Sequence, residues 1–289
     1  MLAVLLALAA AISFGGSDYT AGLASRNTSV LRVTVVAEAI NAALVVPVVL
    51  VISHHPPSAG SLVWGTLAGV SGVGGIMALY MGFRRAAFSV ASPVSAVAAA
   101  GLSLLVGLLS GERPGALSIA GMLLTAPAVI AVSVSAARLD ADAETGAGNR
   151  HLAGVGWGLA AGAGFAVFLI GLHRAGSAND LWPAGIADLA GLTTAVVVAA
   201  VARQLAPPSA GTRWLSLLTG VIAAMGTLSV FLATHRGMLA VTGVIYSLYP
   251  AGTLVLARVL SNERLTKAGM FGLCLAAASV CLIAAGTVS

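Results

Sequence analysis

Polar and apolar positions along the chain fall into long blocks. Ten apolar runs stand out, over residues 2–22, 30–52, 60–82, 87–109, 115–136, 152–172, 181–202, 214–234, 238–260 and 268–286. Each is near the roughly 20 residues that an α-helix needs to cross a bilayer. Within the runs the apolar residues are continuous rather than alternating, which argues for helices and against a β-barrel. The breaks are polar or turn-forming: Ser25-Arg26-Asn27, His54-His55-Pro56-Pro57, Arg84-Arg85, Gly111-Glu112-Arg113-Pro114, Pro207-Pro208-Ser209 and Ser261-Asn262-Glu263-Arg264. The longest break, RLDADAETGAGNR over Arg138–Arg150, has Leu139 as its one large apolar residue. It reads as a solvated linker. The chain therefore divides into residues 1–137, a linker at 138–150, and residues 151–289, with five spans in each half.

Composition sharpens this picture. Of 289 residues, 59% are hydrophobic and 8% charged, against about 25% charged in a soluble domain. So few charges cannot cover a globular surface, which excludes a soluble enzyme, a disordered chain and a nucleic-acid binder. The net charge of +5 is spread over the loops and reads as an orientation signal. Loops 1–2, 3–4, 5–6, 7–8 and 9–10 hold most of the Lys and Arg, and the positive-inside rule puts that side in the cytoplasm. Both termini then face outward. The N-terminal run has no basic flank before Arg26, so it reads as a retained span rather than a signal peptide.

An internal repeat supports two halves. A shift of 151 residues lays Tyr80–Arg113 on Phe231–Arg264 without a gap, and nine of 34 positions are identical. The matches include Arg85/Arg236, Ser110/Ser261, Glu112/Glu263 and Arg113/Arg264. Five spans per half send the second half into the membrane from the opposite side. The expected fold is all-α and integral to the membrane: ten transmembrane helices as two inverted five-helix repeats. Such repeats are typical of secondary transporters with a site near the bilayer midplane.

Ionisable groups inside spans are costly and mark candidate sites. Asp18 lies near the end of the first run. Glu38 is about eight residues into the second run, roughly 12 Å deep by helical rise, and Asp188 is about seven residues into the seventh. Acids at matching depth are suited to a cation, a proton or an amine. Tyr80, Ser92, Phe165 and Tyr246 are candidates to line a pocket, with Ser95, Tyr249 and Trp157 beside them. The histidines all fall at loop edges, and no metal cluster, Walker A motif or hydrolase motif is present. No cofactor and no enzymatic activity are expected.

Two five-helix halves, each with an apolar helix followed by a Gly/Asn-Glu-Arg turn, resemble the EamA-type members of the drug/metabolite transporter superfamily. The segment from Leu248-Tyr249-Pro250 through Asn262-Glu263-Arg264-Leu265-Thr266 carries the likeness most strongly, and the opening Ser13-Phe14-Gly15-Gly16-Ser17-Asp18-Tyr19 shares it. Ala99 stands where the repeat puts Pro250, and the first half has Pro93 six residues earlier. The resemblance implies that Pro250 and the pairs Glu112-Arg113 and Glu263-Arg264 are structural, the pairs capping the following helix or anchoring headgroups. It implies a central cavity between helices 1, 3, 4, 6, 8 and 9. It also implies a multi-pass carrier in the plasma (inner) membrane that exports amino acids or similar amphipathic solutes by alternating access. Its partners would be that small-molecule substrate, H+ or another coupling ion, the lipid bilayer and, optionally, a second copy in a homodimer. A channel or uniporter for a divalent cation such as Mg2+ is the alternative, although acids so few and scattered do not form the rings expected of a channel.

Overall fold

The computed structural model describes residues 1–85, 88–140, 148–177, 180–260 and 267–287. Among them are eleven α-helices and one 3-10 turn. The first half contains α1 (Leu2–Ser25), α2 (Val30–Ile52), α3 (Ala59–Arg85), α4 (Phe88–Leu109) and α5 (Ala116–Asp140). The second contains α6 (Gly148–Arg174), α7 (Trp182–Val201), α8 (Arg213–Arg236), α9 (Leu239–Tyr246), α10 (Tyr249–Leu260) and α11 (Lys267–Gly286). Helices α5 and α6 run into the expected linker from both sides, and its centre, 141–147, lies outside the described residues.

Among the described residues, seven segments are long and apolar enough to cross a membrane: Leu2–Ser25, Val30–Ile52, Ala59–Gly82, Gly154–Arg174, Trp182–Val201, Ala210–Arg236 and Lys267–Gly286. Val94–Leu109 and Ala116–Ala131 are shorter apolar stretches. Side chains are sorted as in a membrane protein. Alanines such as Ala7, Ala10, Ala68, Ala96, Ala161 and Ala199 are fully buried, while Leu5, Val51, Val63, Leu109, Leu123, Val201 and Phe271 are more than half exposed. Small residues inside let backbones approach, and large apolar ones outside meet lipid.

The ninth expected span is not one helix. It divides at Ser247-Leu248 into α9 and α10. The Leu248 amide turns back to the Ile245 carbonyl at 3.1 Å, and Ala251 to Leu248 at 2.8 Å. Pro250 is the second residue of α10. It has no N–H to offer a continuous helix, and a first helical turn is where proline is tolerated. Its counterpart α4 runs unbroken past Ala99.

Packing between the halves is reciprocal. Helix α3 packs on α6 and α8 on α1; α4 packs on α6, while α9 and α10 pack on α1; α7 packs on α3 and α2 on α8. Helices α5 and α11 pair, as do α2 and α7. Two glycines mark equivalent close crossings in the two halves. A Cβ on Gly220 would stand 2.5 Å from the Ala37 carbonyl of α2. One on Gly69 would collide with the Ala187 carbonyl of α7. These two residues are 151 positions apart, the spacing of the sequence repeat.

Glu112 caps a helix in the opposite half. Helix α4 ends on Gly111, whose φ of +90° is left-handed. The Glu112 amide returns to the Gly107 carbonyl at 3.0 Å, a glycine-terminated end that satisfies the last carbonyls. The chain reversal delivers the Glu112 carboxylate to the start of α9, where it accepts from the amides of Leu239 and, at 2.8 Å, Ala240. A carboxylate on two free N–H groups at the positive end of a helix is favourable twice over. The helix that Glu112 caps is α9, not the following α5. Arg113 is exposed, and Glu263 and Arg264 lie outside the described residues.

Candidate functional site

A cavity of about 100 Å³ lies between the halves. It brings together six of the seven candidate residues: Asp18, Glu38, Tyr80, Phe165, Asp188 and Tyr246. Its walls come from α1, α2, α3, α6, α7, α8, α9 and α10. Helix α4 contributes no described wall residue, and α2 and α7 do, which corrects the expected set of cavity helices. The reason is packing: α4 stands behind α6 and α9. Ser92, the seventh candidate, is accordingly buried outside the wall. Its carbonyl accepts from the Ser95 hydroxyl at 2.8 Å, and Ser95 shares a 3.2 Å hydrogen bond with the Tyr249 hydroxyl of the wall. Ser92 is one step removed from the site.

Asp18 is not at a helix end, because α1 continues to Ser25. It sits two turns inside, within electrostatic reach of the Tyr80, Tyr246 and Tyr249 hydroxyls. The aromatic rings around it form a connected set. Phe14 meets Tyr246 edge-on at 5.4 Å and Phe168 at 6.3 Å; Phe165 meets Tyr249 at 6.1 Å; Tyr246 and Tyr249 lie 6.0 Å apart. Such a wall offers π-faces and phenolic oxygens next to a carboxylate. Phe231, the repeat counterpart of Tyr80, is fully buried and packs against His235 instead. Trp157 lies away from the wall, against Gly82 of α3.

The other two acids meet across α2 and α7. Asn41 Nδ2 donates to Asp188 Oδ1 at 3.1 Å. Glu38, one helical turn before Asn41, reaches toward α7 so that its Oε2 lies 3.2 Å from where a Cβ on Gly191 would stand. Thr227 of α8 borders the Asp188 carboxylate. Asn41 and Asp188 are each 4% exposed, and Asn41 Oδ1 and Asp188 Oδ2 have no hydrogen-bond partner among the described residues. The sequence reading did not single out Asn41, Thr227 or Phe168. An Asn three residues beyond Glu38 on one helix face, inside an apolar run, is a signal that finds Asn41.

Among the described wall residues none is Lys, Arg or His. His173 and His235 lie at the loop edges, in the last turns of α6 and α8. Their rings lie 6.3 Å apart, and each contacts a backbone carbonyl across the pair, Thr234 for His173 and Ala175 for His235.

Comparison with known proteins fits this architecture. The profile of the EamA-like transporter family matches residues 1–134, which is α1 through most of α5. None of the curated proteins matches significantly. A solved structure described only as "Crystal structure of protein" is similar over 97% of this chain and 95% of its own, with a TM-score of 0.73 and 19% identity. It is among 28 solved chains that match. At that identity the likeness establishes the fold.

Proposed function

We propose that this chain, whose residues 1–134 match the EamA-like transporter family, belongs to the drug/metabolite transporter superfamily and is a secondary carrier of small amphipathic solutes. It works in the plasma membrane by alternating access, with amine-bearing solutes such as amino acids the favoured cargo and export the favoured direction. The observation that carries this reading is the cavity itself: three carboxylates and three tyrosines face one space, with no described cation in its wall. An ammonium group finds Asp18 and the rings of Tyr246 and Tyr249 there, and an apolar tail finds Phe14, Phe165 and Phe168.

The two halves are inverted repeats, residues 1–137 and 151–289. The reciprocal packing of α3 on α6 and α1 on α8, and the glycine crossings at Gly69 and Gly220, support that reading. The cavity lies where the halves meet, so rocking one against the other exposes it to either side in turn. Glu38 and Asp188 face the interior, and at least one of them changes protonation or ligand in each cycle. Two carboxylates in one desolvated pocket need a positive partner, because two unneutralised charges there are costly.

The test is counterflow in liposomes loaded with unlabelled solute from a panel of amines, amino acids and neutral analogues. Saturable exchange of an amine-bearing solute, lost in Asp18→Asn, supports the reading. Exchange of anionic or neutral solutes alone overturns it.

A further inference from the structure

We propose that Glu38, Asn41 and Asp188, with Thr227 beside them, form a binding site for an alkali metal cation of Na+ size, distinct from the aromatic wall around Asp18. The inference rests on the carrier reading only for its role in coupling; the site itself rests on geometry. Asn41 Nδ2 donates one N–H to Asp188 Oδ1. Asn41 Oδ1 and Asp188 Oδ2 are both buried without a partner, and both residues face the cavity. Glu38 brings a second carboxylate to the same crossing, with Oε2 beside Gly191.

Buried polar atoms are rarely left unsatisfied, and each such atom calls for an explanation. A proton on Asp188 shared with Asn41 would also meet both oxygens, and it is the competing occupant that the binding measurement separates from a metal ion. One metal ion held by those two oxygens can draw on the Glu38 carboxylate of the same cavity wall as well. Hard cations take oxygen ligands of this kind, carboxylate and amide carbonyl together. The choice of a monovalent ion follows from the surroundings. Mg2+ sheds its water reluctantly and Ca2+ takes six to eight oxygens, whereas this pocket is walled by Ala37, Val73, Ala187 and Gly191. Among the described residues no group of three or more His, Cys, Asp or Glu is placed to hold a metal, and Asp18 stands apart with the tyrosines. A single positive charge between Glu38 and Asp188 leaves the cavity net negative, which keeps it attractive to an ammonium-bearing solute.

The experiment measures radiolabelled Na+ binding to the purified full-length protein in detergent, without solute, with choline chloride holding the ionic strength. Saturable binding that unlabelled NaCl displaces and choline does not is expected. Asn41→Ala, checked for monodispersity and helicity, is expected to weaken that binding about tenfold or more, on the scale seen when groups around a metal are removed. Methylammonium is the competing probe. If methylammonium is retained and Na+ is not, the cluster is the solute's ammonium site and the proposal falls. If neither binds saturably, it falls as well, and the wild-type result decides this even where the variant fails to fold. Na+ binding in a protein that shows no solute counterflow upholds the site and overturns the carrier reading.

Discussion

Removing the Glu112 carboxylate tests the cross-half cap directly. In Glu112→Ala the amides of Leu239 and Ala240 lose their acceptor at the start of α9. Hydrogen bonds to a charged group contribute about 1.5–3 kcal/mol each when buried, and loss of an N-cap costs about 0.5–2 kcal/mol. Glu112 is only half-buried, so water offsets part of the loss, and about 2 kcal/mol is the expected destabilisation. On a chain of this size that lowers the unfolding midpoint by roughly 4–6 °C. Glu112→Gln keeps one carbonyl acceptor and turns an amide donor toward the second N–H, so roughly half of the loss is expected. The assay is thermal unfolding in detergent followed by circular dichroism, with the wild type and both variants at one ionic strength. The ordering Ala below Gln below wild type is the prediction. If both variants unfold within about 0.5 kcal/mol of wild type, as ordinary surface substitutions do, Glu112 is a headgroup anchor and the capping argument is wrong.

Further outcomes follow from the same structure. Gly69→Ala and Gly220→Ala each place a methyl against an opposing backbone carbonyl, so each is expected to lose about 1–3 kcal/mol of stability in the same unfolding assay. Tyr249→Phe removes the hydroxyl shared with Ser95; a loss of about 1 kcal/mol is expected in that assay, and Ser95→Ala is expected to match it. Glu38→Gln combined with Asp188→Asn is expected to abolish ion-coupled transport in liposomes; transport and pH dependence left unchanged would make the acids structural. A cysteine introduced at Ser289, in a background lacking Cys274 and Cys281, is expected to react with an impermeant reagent in intact cells. Labelling only after permeabilisation would put the termini inside and defeat the charge argument.

The spans were legible because a bilayer demands about 20 continuous apolar residues, and no soluble pattern imitates that. The division of 238–260 into α9 and α10 was not. Hydropathy is continuous through Ser247-Leu248, and only Pro250 hinted at a break in the backbone ladder. Asp18, Glu38 and Asp188 were visible as site candidates because a carboxylate in an apolar run is costly. Which helix faces they share was not visible, since rotation of α2 and α7 toward the cavity is set by contacts such as Gly69 on Ala187, far apart in the chain. Helix α4 was assigned to the cavity wall on resemblance, and packing places it behind α6 and α9. A neutral residue such as Asn41 carries no charge penalty to announce it, and its importance appears only once Asp188 is across from it.

In the proposed mechanism one acid-lined cavity carries an amine-bearing solute through the membrane by alternating access. Counterflow in proteoliposomes tests it most directly, with the labelled solute outside, excess unlabelled solute inside, and the membrane potential clamped. Transient accumulation of label that saturates with solute concentration and disappears in Asp18→Asn is expected. Label that enters without saturation and without acceleration by internal solute would describe a channel, and would contradict the carrier.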